Sequence, residues 1–137
     1  MYSVKYDDTI NTVILTLRGV LFPEDYRTAW LSALDLMADQ QTHRFLIDAR
    51  KHKAISLENQ CWFKKEFLEI AHQKGKKMPE RPRAARINSP DADNIEAMRS
   101  INEQIAQADY SFKYQTFNEY QNGVQWLFLE EEEEALA

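Results

Sequence analysis

The stretch FLIDARKHKAISLENQCWF, Phe45 to Phe63, decides how the chain is read. Arg44-Phe45-Leu46-Ile47-Asp48 has the continuous apolar character of a short buried strand. Ser56 stands directly before Leu57-Glu58-Asn59, where a serine hydroxyl accepts from a backbone N–H two or three residues on and so starts a helix. Between strand and helix come Arg50, Lys51, His52 and Lys53, read as a loop. Open α/β sheets bind ligands outside the carboxyl ends of their strands, and helix N-termini favour anions. Arg50, Lys51 and Lys53 are therefore candidate ligands for a phosphate, a phospholipid headgroup or an acidic partner surface, Arg50 in bidentate fashion. No glycine-rich phosphate cradle accompanies them, so the ordinary reading is a solvated loop. Asp48, at the strand end, is placed to orient Arg50.

Working outward, Ser3-Val4-Lys5-Tyr6 and Thr12-Val13-Ile14-Leu15-Thr16-Leu17 flank a polar turn and read as a hairpin that Gly19 ends. Pro23 suits the first position of a helix, Glu24 and Asp25 complement its dipole, and the helix runs to about Asp39. Trp30 and Met37 lie on its inward stripe, where core packing is the first expectation. The helix from Leu57 runs to about Gln73, with Gly75 as its expected C-cap. Arg83-Ala84-Ala85-Arg86-Ile87 reads as a strand, and Ser89-Pro90-Asp91 as the start of a helix whose inward face carries Ile95, Met98, Ile101 and Ile105. A strand from Ser111 to Phe117 and a helix from Asn118 close the chain, Gly123 being a weak point of that helix. The order β-β-α-β-α-β-α-β-α is α/β: a mixed sheet with an N-terminal hairpin, later strands parallel, and about four helices.

Bulk properties agree with one domain over residues 1–129, followed by an acidic tail, 130–137, that contains Glu130 to Glu134. A chain of 137 residues that is 44% hydrophobic and 28% charged buries one sizeable core. The net charge of −5 disfavours nucleic acid as a partner. One cysteine, Cys61, and the scattered His43, His52 and His72 show no metal-ligand spacing, so neither metal nor cofactor is expected. No apolar run spans a bilayer and the N-terminus lacks the pattern of a secretion signal, which makes the cytoplasm the expected location.

The element order, together with LTLRGVLFPEDY at residues 15–26, FLIDARKHKAISLEN at 45–59 and FKYQTFNEYQNGVQWL at 112–127, resembles the SpoIIAA-like group of the STAS superfamily over essentially the whole chain. The resemblance implies a non-enzymatic domain that binds a partner protein, a nucleotide or an apolar ligand, with a membrane surface as a candidate place of binding. Anti-sigma-factor antagonists of the superfamily carry an Asp-Ser-Ser-Gly type sequence at the start of the corresponding helix, and its serine is phosphorylated by a partner kinase. Here the matching region reads Ala54-Ile55-Ser56-Leu57-Glu58-Asn59, without the acid and the glycine. Ser56 is thus a cap first and a phosphorylation candidate second.

No nucleophile, paired acids or metal set is placed together, so an enzyme is not expected. The expected ligand is small and apolar or amphipathic (lipid-like), lying between the sheet and the helices that carry Trp30, Trp62, Phe63 and Phe67, with the Arg50 to Lys53 loop near its polar head. A second basic cluster, Lys74, Lys76, Lys77, Arg81, Arg83 and Arg86, adjoins the aromatic helix, a combination that suits an anionic membrane surface. Trp62 discriminates: exposed, it favours the membrane or the ligand; buried, it is core. The competing expectation is a protein-interaction module of the anti-sigma-factor-antagonist type, with a kinase or anti-sigma protein, or a second copy of the chain in a homodimer, as partner.

Overall fold

The computed structural model describes residues 1–129, and the acidic segment 130–137 lies outside the described residues. The elements are β1 (Tyr2–Asp7), β2 (Thr12–Gly19), α1 (Pro23–Gln40), β3 (Arg44–His52), α2 (Leu57–Trp62), a π-helical turn (Phe63–Phe67), α3 (Leu68–Lys76), β4 (Arg83–Ile87), α4 (Ala92–Gln107), β5 (Lys113–Phe117) and α5 (Tyr120–Leu127). With α2, the π turn and α3 continuous, this is the α/β order read from the sequence. One sheet carries the strands in the order β1-β2-β3-β4-β5. β1 and β2 are antiparallel, and every later pairing is parallel.

Strand parity sorts the side chains onto two faces. On one, Val13, Leu15 and Leu17 of β2 and Phe45 and Ile47 of β3 meet Ala29, Trp30, Ala33 and Met37 of α1, and Phe63, Phe67, Met98 and Ile101 of the later helices. Each of these large apolar side chains contributes roughly 1.5–3 kcal/mol on burial. On the other face, Leu46, Ala85 and Ile87 pack under Trp126 and Leu127 of α5.

Several local expectations need correction. Arg50, Lys51 and His52 belong to β3 rather than to a loop, because β2 runs on past a bulge between Thr16 and Arg18 and pairs Arg18 with Lys51 and Gly19 with His52. Gly75 sits inside α3 and Lys77 is the cap, since a Cβ at Gly75 would collide with the Ser111 hydroxyl, so the glycine serves close packing. The N-cap of α4 is Asp91, whose carboxylate accepts from Asn94 N at 3.0 Å, while the Ser89 hydroxyl turns to the His52 carbonyl at 2.6 Å. Ile95 is exposed, and the inward face of α4 is formed by Asn94, Ala97, Met98 and Ile101.

Candidate functional site

Three helical segments cover one face of the sheet without filling it. A cavity of about 300 Å³ lies between them, floored by Phe45 and Ile47 of β3 and Ala84 and Arg86 of β4. Its walls come from Tyr26, Trp30 and Met37 of α1, Phe63 and Phe67 of the π turn, Ala71 and Gly75 of α3, Met98 and Ile105 of α4, and Phe112 and Tyr114 at β5. The lining reaches the surface at Ala38, Lys74 and Lys77. The volume lies at the lower edge of the roughly 300–1,000 Å³ usual for small-molecule sites, and the walls are mostly apolar, as such sites are.

The π turn shapes this space. Leu68 N–H donates to the Phe63 carbonyl, five residues back, which inserts one extra residue into the helix. Phe63 and Phe67 stack at 4.7 Å between ring centroids. Trp30 meets both, at 4.8 Å and 5.1 Å. Three of the residues selected from the sequence, Trp30, Phe63 and Phe67, are thus brought together on the cavity wall. Trp62 is not in the lining: it is 6% exposed and packs edge-on against Tyr26 at 6.0 Å, so by its own criterion it is core.

The basic residues of β3 are placed elsewhere. Arg50 donates through Nε and a terminal nitrogen to the two Asp48 oxygens, both at 2.9 Å, and its guanidinium lies 4.9 Å from the Tyr120 ring centroid. Tyr120 belongs to α5, so Asp48 and Arg50 stand on the sheet face opposite the cavity. Partial burial opposes the Asp48 charge, but the side-chain and backbone hydrogen bonds from Arg50 outweigh it and hold the carboxyl below its ordinary range. Lys51 and Lys53 are exposed. A headgroup contact from this segment into the cavity is therefore corrected. The physical reason is alternation: Asp48 and Arg50 share a parity with Leu46 under α5, not with Phe45 and Ile47.

Arg83 and Arg86, expected in a basic cluster facing a membrane surface, are instead buried, which corrects that expectation. Around Arg86, at the inner end of the cavity, the structure gathers further polar groups. Arg86 is 2% exposed and donates to Asn94 Oδ1 at 3.1 Å. Asn94 Nδ2 in turn donates to the Lys53 carbonyl at 2.7 Å, tying α4 to the end of β3. Burial pushes the Tyr26 phenol well up, and pushes that of Tyr114 to about 12, with the positive charge of Arg86 acting in the opposite sense on both. His52 is 1% exposed, and burial followed by the Arg86 charge drives its pKa down to about 3, so the imidazole is neutral. Arg86 carried one usable signal: its parity with Ala84 in RAARI separates it from Arg83, Ala85 and Ile87, which face α5, and aims it at the face under α1, α3 and α4.

Ser56 is exposed and accepts from Asn59 N at 3.1 Å, as the cap reading requires. Among the described residues no group of three or more His, Cys, Asp or Glu side chains is arranged to hold a metal, and no helix is long and apolar enough to cross a membrane.

Comparison with known proteins supports the architecture. An uncharacterised protein of the DUF3478 family with a SpoIIAA-like fold, from Shewanella loihica PV-4, superposes with a TM-score of 0.57 at 19% identity, over 93% of this chain and 92% of that one. The chain therefore has a SpoIIAA-like fold. No family profile and no curated protein sequence matches it.

Proposed function

We propose that the protein is a non-catalytic binding domain that takes a small apolar or amphipathic, lipid-like ligand in the cavity between the sheet and α1, α3 and α4. The observation that carries this reading is the cavity itself: about 300 Å³ enclosed by aromatic and aliphatic side chains in a domain whose other sheet face is closed by α5. Lys74 and Lys77 stand where the lining reaches the surface, with Lys76 beside them. Cations around an apolar opening suit an anionic bilayer surface as the source of an amphiphile, by charge attraction beside hydrocarbon burial.

Organic extraction of the purified protein followed by mass spectrometry, with titration of decanol followed by calorimetry, tests the reading. Ala71→Phe fills the cavity from α3 and is expected to weaken decanol binding at least roughly ten-fold while the circular dichroism spectrum is retained. No extractable lipid, together with no decanol binding and no association with anionic liposomes at low salt, overturns it.

A second reading, a module that docks a regulatory protein, draws on a different corner. Leu57 is 79% and Phe22 77% exposed, and Asn59 Nδ2 donates to the Leu21 carbonyl at 3.0 Å, which holds the Phe22 segment against the start of α2 beside Ser56. A phosphoryl group on Ser56 would add charge at that helix start. Labelling of the protein by a host kinase, lost in Ser56→Ala, supports this reading, and absence of labelling in the wild type removes the switch.

A further inference from the structure

Arg86 is a permanently charged group placed where charge is strongly disfavoured. Its side chain lines the inner end of the cavity from β4, an interior strand of the parallel set, beside Tyr26 and Tyr114. The one hydrogen bond it makes is to a neutral amide oxygen, Asn94 Oδ1, and its Nε has no hydrogen-bond partner among the described residues. No carboxylate of the described residues lies within ion-pair distance of it. Asp91, in the segment leading from β4 to α4, is engaged as the cap of that helix. Holding Asn94 in place would need only one of the five N–H donors that a guanidinium carries. The charge and the unpaired Nε thus stand in the lining of a mostly apolar cavity, with only the Tyr26 and Tyr114 phenols as polar neighbours in that lining at this end.

We infer that the cavity binds amphiphiles with an anionic head, and that Arg86 is the counter-charge for that head at the closed end, with the hydrocarbon part lying along Trp30, Phe63 and Phe67 toward the opening. This step rests on the ligand reading above and adds the chemical class and the orientation. The planar guanidinium fork matches a carboxylate or a phosphate oxygen pair, which is the chemistry shared by fatty acids and phosphate monoesters. The orientation is head inward, so Lys74 and Lys77 at the surface are not the head's primary contacts.

Calorimetric titration of the full chain with decanoate, decyl phosphate and decanol tests this, in the wild type, in Arg86→Met and in the double variant Lys74→Gln, Lys77→Gln. Expected is a preference of the wild type for at least one anionic probe over decanol of roughly ten-fold or more, the scale of a charge-assisted hydrogen bond. The ratio of decanoate to decyl phosphate tells which head fits. Arg86→Met is expected to reduce the ratio of anionic-probe to decanol affinity to about two-fold or less, and the lysine variant to keep the wild-type ratio. Equal binding of all three probes to the wild type overturns the inference and leaves the ligand reading standing. Binding of none overturns both. A preference that survives in Arg86→Met but disappears in the lysine variant places the head at the opening and overturns the orientation. If Arg86→Met does not fold, the wild type and the lysine variant decide alone: a preference retained in the latter supports Arg86, and its loss there overturns it.

Discussion

At the scale of single residues, the buried His52 beside Tyr26 makes a prediction about pH. His52 titrates near pH 6.5 when unfolded and at about 3 when folded, because burial and the Arg86 charge disfavour the imidazolium. The unfolded chain therefore binds the proton first as pH falls, and stability drops from about pH 6.5 downward, with a slope approaching 1.4 kcal/mol per pH unit until the folded pKa is reached. Between pH 7 and pH 5 this one residue is expected to remove about 2 kcal/mol. Urea unfolding at the two pH values checks it: the wild type should lose about that much more than His52→Gln, and equal losses would mean that His52 is protonated within the fold. The same residues differ in how far their roles are legible in the sequence. Trp30, Phe63 and Phe67 were legible because apolar residues at helical spacing must face a sheet. Arg86 and His52 were not, because both stand in runs of basic residues whose summed charge points to solvent; strand parity turns Arg86 inward, whereas His52 turns toward Tyr26 only because the register against β2 shifts after Asp48.

At the scale of elements, the two helical glycines mark close approach. Gly123 lies in α5, where a Cβ would come within 2.5 Å of Ile87 Cδ1, with Leu46 and Phe117 next behind. Ile87 is fully buried, so its side chain has little room to rotate away. Gly123→Ala should therefore lower stability by about 1 kcal/mol, overpacking outweighing the helix-propensity gain of about 1 kcal/mol that the residue type alone implies. Urea or thermal unfolding reads the sign directly, and a stabilised variant would show that α5 can lift from the sheet. Element types and order were legible throughout, since each strand and helix carries its own period and caps. What the sequence did not disclose was local detail: the extension of β3 through His52, the shift of the α4 cap from Ser89 to Asp91, and the π turn, whose Phe63 and Phe67 rings pack on Trp30.

For the whole molecule, ligand and fold are coupled by mass action. A ligand that occupies the cavity only in the folded state adds RT ln(1 + [L]/Kd), about 2.7 kcal/mol at a hundred-fold excess over Kd. For a domain of this length that is a rise of several degrees in melting temperature, which scanning fluorimetry with and without saturating decanoate would register. A fold that melts at an unchanged temperature with ligand demonstrably bound would place the binding site on the unfolded chain or on a surface indifferent to folding. The π turn bears on this coupling through phase. Each residue advances an α-helix by about 100°, so the one extra residue at Phe63–Phe67 sets the azimuth of everything after it. In that azimuth His72 accepts from Ser111 N at 2.8 Å, its carbonyl accepts the Ser111 hydroxyl at 2.7 Å, and Gly75 slides beneath, so that α3 latches the approach to β5. If the turn took α-helical hydrogen bonds at unchanged chain length, every residue after it would rotate by about a quarter of a revolution and that latch would fall out of mesh. The irregular turn is the gear tooth that keeps the two ends of the cavity wall in step.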